Sequence, residues 1–193
     1  MAGSPDSLGP SYISAYSADV ILSEIRPTKL KVEALHSINV FLDEFLFTML
    51  KKSGSLRTDN LRASLLSLLP TTLGKEALLE AEVELRAYWD RTTAFDSSAL
   101  EDDSTVFHLQ WTFELLRLKC GAYSTLNECD EDTAAEKCTN DRISAAGGMP
   151  PKDALIVPAA LYLTAILECV TGPVYIVLLS DWLLIRTELY ASE

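Results

Sequence analysis

The sequence predicts an all-α fold, and three observations carry that expectation. Along residues 28–53, Leu35, Ile38, Leu42, Phe45 and Met49 recur three and four apart, with Ala34, Phe41, Leu46 and Leu50 widening the stripe. A near-echo opens at Val157 and Pro158, where Leu161, Tyr162, Ala165 and Ile166 take up the same spacing. Helix-ending residues, Pro27, Gly54 and Pro70, stand between the periodic stretches. A helix with so broad an apolar face is not stable alone in water, so both long helices require partners laid across them.

In chain order, residues 1–13 read as a disordered tail, rich in Gly, Ser and Pro and without the basic-then-apolar order of a secretory signal. Residues 14–24 form a short helix edged by Ile13, Val20, Ile21 and Ile25, and Pro27 stops it. Thr28 caps the long helix, whose far end is marked by Lys51, Lys52 and Gly54. Thr58 or Asp59 caps a third helix carrying Leu61, Leu65, Leu68 and Leu69. Thr71 and Thr72 then cap a further helix over 73–91, with Leu78, Ala81, Leu85, Tyr88 and Trp89 on one face and Glu76, Glu80, Glu82 and Glu84 solvated.

Residues 92–104 are an acidic linker, and 106–123 are helical again, with Val106, Leu109, Phe113, Leu116 and Cys120 on one face. Residues 127–149, poor in apolar side chains and closed by Gly147 and Gly148, read as an acidic, mobile loop. Pro158 fits the first turn of the second anchor helix, where its missing N–H costs nothing.

Charge and cysteine content bound the chemistry. The net charge is −12, and residues 92–193 hold 16 acids against 6 bases, whereas 1–91 hold 12 against 10. Such a surface repels phosphate, which disfavours direct nucleic-acid binding; Lys51, Lys52, Arg57 and Arg62 are the one basic cluster, read as a solvated helix end. Cys120, Cys129, Cys138 and Cys169 form no CxxC pair and point to reduced thiols in an intracellular compartment. His36 and His108 lie 72 positions apart, and the sequence has no Gly-rich phosphate loop, so no catalytic, cofactor or metal site is assigned.

The order short helix, long helix, short helix over residues 14–91 resembles the histone fold. The resemblance sharpens at Pro158, Ala159, Ala160, Leu161, Tyr162, Leu163, Thr164, Ala165, Ile166, Leu167 and Glu168, which are similar to the start of the central helix of A-type core histones. Phe113, Glu114, Leu115, Leu116 and Arg117, with nearby Tyr123, are similar to that family's first helix and the loop after it. The resemblance implies tandem histone-fold-like helical triplets, residues 14–91 with an extra C-terminal helix and 105–193 with the acidic insert. It also implies protein heterodimerisation through helix faces, between the two units or with a partner chain, and a nucleus rather than cytoplasm placement. The family's DNA-contacting basic positions are largely missing here, so DNA wrapping does not carry over.

The face residues of that reading are Leu35, Ile38, Leu42, Phe45, Met49, Leu161, Tyr162, Ala165 and Ile166. The pattern departs from the family at Gly172 and Pro173, where a helix break is expected. No polar loop and third helix follow, so the second unit reads as incomplete. The apolar run over 155–185 carries an alternative, a membrane-associated helical protein, opposed by Glu168 within the run.

Overall fold

The computed structural model describes residues 10–25, 29–92 and 107–190, with the side chains of all of these except 24, 25 and 173–190. Among the described residues the fold is all-α. Its helices are α1 (Ala15–Ile25), α2 (Val32–Ser53), α3 (Thr58–Leu68), α4 (Thr71–Arg91), α5 (Leu109–Tyr123), α6 (Thr133–Ala145) and α7 (Asp153–Tyr190). Thr28, Val106 and the acidic linker beyond Thr92 lie outside the described residues.

α2 ends where the sequence placed its end. Lys51 and Lys52 sit in the last turn, and Gly54 adopts φ +59° while its N–H donates to the Leu50 carbonyl. Its start is four residues later than expected, at Val32 after an extended Lys31. The buried face is also rotated by about one position. Ile38, Asn39, Leu42, Asp43, Leu46, Met49 and Leu50 are buried, whereas Phe45 is half-buried and Phe41 remains 43% exposed. Each fully buried leucine of this face contributes about 2 kcal/mol of transfer free energy.

α3 folds back on α2 through Leu61 and Leu65, and the Ser64 hydroxyl donates to the Met49 carbonyl at 2.9 Å. Pro70 then occupies the position expected for a threonine cap, so α4 starts without a side-chain cap. Small residues, Gly74, Ala77 and Ala81, are the buried ones of α4 and allow it to lie close along α7. The two run antiparallel: Leu85 and Trp89 share a cleft with Ala154, Pro158 and Ala159, while Glu76 and Glu80 lie near Cys169.

The acidic insert is not a loop. Residues 133–145 form α6, with the Asp132 carboxylate accepting from Ala135 N at 2.9 Å as its N-cap. Its end is a Schellman turn: Gly148 N–H donates to the Ile143 carbonyl, Gly147 N–H donates to the Ser144 carbonyl, and Gly147 takes φ +79°. Ile143 is buried, and the ion pairs Lys119–Glu136 (2.6 Å) and Arg142–Glu114 (3.5 Å) fasten α6 to α5.

α7 also departs from expectation. It begins at Asp153, so Pro158 lies beyond the first turn, and its backbone stays helical through Gly172 and Pro173 to Tyr190. Each proline removes one backbone hydrogen bond without ending the helix. Over Asp153–Gly172 the helix is long and apolar enough to cross a membrane, yet most of that stretch is buried inside the fold. One hydrophobic cluster takes in Leu42, Leu46 and Leu65 from the first half and Leu116, Tyr162 and Ile166 from the second.

Candidate functional site

The residues read as a pairing face divide by burial. Ile38, Leu42, Met49, Tyr162, Ala165 and Ile166 are buried in the common core. Leu35 and Phe45 are partly buried against it, and Leu161 is half-buried. α2 and α7 touch directly, so this face lies within the chain rather than on its surface.

Several polar side chains enter the core together at the junction where α2, α5, α7 and residues 11–14 meet. Asn39 and Asp43, one turn apart on the buried face of α2, are its first two members. The Asn39 amide oxygen accepts from Tyr12 N (2.7 Å) and Ile13 N (3.1 Å), and its nitrogen donates to the Ile13 and Leu35 carbonyls, each at 3.2 Å. Asp43 accepts from the Tyr12 hydroxyl at 2.7 Å and from Arg117 Nε at 2.7 Å, and Arg117 Nη2 reaches its second oxygen. A buried carboxylate is thereby satisfied by a phenol and a two-pronged guanidinium, one from each half of the chain.

The turn after α5 supplies the other wall. Ser124 Oγ donates to the Tyr12 carbonyl at 2.8 Å, Asn127 Nδ2 donates to the Ser11 and Gly121 carbonyls at 2.9 Å, and Ser14 N–H donates to the Leu126 carbonyl at 2.7 Å. Glu168 of α7 fixes this turn by accepting from Thr125 N (2.5 Å) and Thr125 Oγ1 (2.9 Å). Gly121 is required at the crossing, since a Cβ there would lie 2.8 Å from the Ser11 carbonyl oxygen. Residues 11–13, expected as part of a disordered tail, are instead held on both sides, with Tyr12 and Ile13 each 2% exposed.

Burial, with Cys120 and Asp43 nearby, keeps the Tyr12 hydroxyl protonated far above the ordinary phenol range. The hydrogen bond to Asp43 holds Arg117 more firmly protonated. Burial also pushes the Cys120 thiol up to about 12, and its Sγ lies 3.7 Å from the Ala160 carbonyl oxygen. Cys129 and Cys138 are exposed, and all four cysteines are free thiols. Among the described residues no group of three His, Cys, Asp or Glu side chains is placed to hold a metal.

Two clefts flank the α2–α3 turn, separated by Leu56 and Leu155. One, of about 240 Å³, is lined by His108, Trp111, Phe107 and Met149, and the other, of about 230 Å³, by Leu85, Trp89, Asp59 and Pro158. His108 precedes α5 and rests on Trp111 with ring centroids 4.4 Å apart, while His36 is exposed on α2.

Sequence reasoning missed the junction, although a signal was present. Asn39 and Asp43 interrupt an otherwise apolar face at helical spacing, and polar residues there require buried partners. Comparison with protein-family models, curated proteins and solved structures found no match.

Proposed function

We propose that the chain is a non-catalytic protein-association module in which two helical halves pair in the manner of tandem histone folds and present helix faces to a protein partner. The observation that supports this reading is the burial of Ile38, Leu42 and Met49 from one half with Tyr162, Ala165 and Ile166 from the other in a single core. Separate units would each need a core of their own; here each long helix is covered by elements of both halves.

The outer surface suits association as well. On α4, Leu79 and Val83 lie one turn apart, 64% and 53% exposed, among Glu76, Glu80, Glu82 and Glu84. An exposed apolar pair of this kind suits a protein surface that offers apolar side chains. The acidic balance of the chain favours such a partner over nucleic acid, and the function needs no cofactor.

Expressing residues 1–92 and 107–193 as separate chains tests the pairing. Light scattering of the mixture should give a 1:1 complex with more helix than the sum of the pieces. Two pieces that are each folded and remain apart would contradict it.

A further inference from the structure

We propose that the two clefts flanking the α2–α3 turn are the docking site of the chain's own acidic segment, residues 93–106, with Phe95 in the cleft lined by Leu85 and Trp89 and Leu100 in the cleft lined by Phe107, Trp111 and Met149. The inference does not rest on the pairing of the halves, since it assigns an occupant to a surface that the pairing leaves open.

Where the segment starts and stops is the first argument. α4 ends at Arg91, and Trp89 in its last turn lines the cleft of about 230 Å³. The described chain resumes at Phe107, which lines the cleft of about 240 Å³. Each end of the segment therefore stands beside one cleft. Leu56 and Leu155 line both, so the ridge between them is a single turn of chain resting on α7. Phe95 is three residues past Thr92, at most about 10 Å of chain from the end of α4. The five residues from Phe95 to Leu100 reach up to about 17 Å, enough to step over that ridge.

Charge is the second argument. Phe95 and Leu100 are the large apolar residues of 93–105, and Asp96, Glu101, Asp102 and Asp103 stand around them. The ridge carries the opposite sign. Lys51 and Lys52 in the last turn of α2, and Arg57 in the turn, are exposed and pair with no carboxylate among the described residues. Asp59 is the one acid among the described residues that line the clefts. Three cations against one acid favour an acidic occupant, in a chain whose net charge is −12. Apolar anchors entering aromatic clefts supply the affinity, and the ion pairs over the ridge set the direction in which the segment runs.

The test is photo-crosslinking in the full chain with Leu100 replaced by p-benzoylphenylalanine, whose excited ketone reacts readily with methionine. Peptide mapping after irradiation is expected to place the crosslink within one chain, at Met149 or at residues 54–56. Adding Glu101→Gln, Asp102→Asn and Asp103→Asn should lower its yield at least threefold, as should raising the salt to about 1 M, where the screening length falls to about 3 Å. The core residues are unchanged in these variants, so a lower yield does not report unfolding. Crosslinks scattered over the surface overturn the proposal. So does a crosslink between two chains, which would make the occupant a second copy, and so does a yield that neither neutralisation nor salt alters.

Discussion

Tyr12 and Tyr162 are both buried tyrosines, and they differ in what their hydroxyls meet. The Tyr12 hydroxyl donates to Asp43, whereas the Tyr162 hydroxyl is buried with no hydrogen-bond partner among the described residues, in a region that also feels Glu82, Arg62 and Asp59. An unsatisfied buried hydroxyl costs about 1–3 kcal/mol, and its removal with the ring kept returns part of that. Tyr162→Phe should therefore leave the chain as stable or raise its urea midpoint by up to about 1 kcal/mol equivalent. Tyr12→Phe should lower it by about 1–2 kcal/mol, because Asp43 loses a donor. A destabilised Tyr162→Phe would show that the hydroxyl has a partner.

Buried thiols and phenols also fix the response to alkali. Burial raises Cys120 from 9.0 to about 12, and Tyr123 and Tyr162 from 10.0 to about 12, so the native chain keeps protons that the unfolded chain gives up. Their stabilisation is whole below pH 9.0 and is lost as the pH rises through about 12. Urea midpoints should thus hold level up to pH 9 and fall above it, with Cys120→Ala delaying the onset; a midpoint that rises above pH 9 would contradict the assignment.

At the scale of elements, most helices were legible because their apolar residues repeat at helical spacing. α6 was not, since of its thirteen residues only Thr139 and Ile143 are buried and its periodic signal is correspondingly faint. What defines it is at its ends, the Asp132 cap and the Gly147–Gly148 turn, and those same residues read equally well as loop chemistry. The proline-based break in α7 failed for a related reason. A proline removes one hydrogen bond, and the packing of a long apolar helix against α4 and α5 outweighs that loss.

The junction was hidden by distance along the chain. Asp43 and Arg117 are 74 positions apart, and Ser124 and Tyr12 are 112 apart, so no local pattern links them. The rotation of α2 that buries Leu46 more fully than Phe45 follows from that junction, because Asn39 and Asp43 must face inward too. The end of α6 gives a direct check. A Cβ on Gly148 would lie 2.1 Å from Trp111 Cζ3, so Gly148→Ala must displace the indole. A loss of about 1–3 kcal/mol with a shifted tryptophan emission is expected, and unchanged stability would mean that α6 does not dock on α5 as described.

At the scale of the whole molecule, the shared core, the Asp43–Arg117 pair and the hydrogen bonds of Ser124 and Asn127 to the Tyr12 and Ser11 carbonyls all join the first half to the second. Cooperative unfolding follows when the buried contacts of each half require the other in place. Differential scanning calorimetry of the full chain tests this claim most directly. One transition whose calorimetric and van't Hoff enthalpies agree is the expected result; two separate transitions, one for each half, would contradict a core common to both.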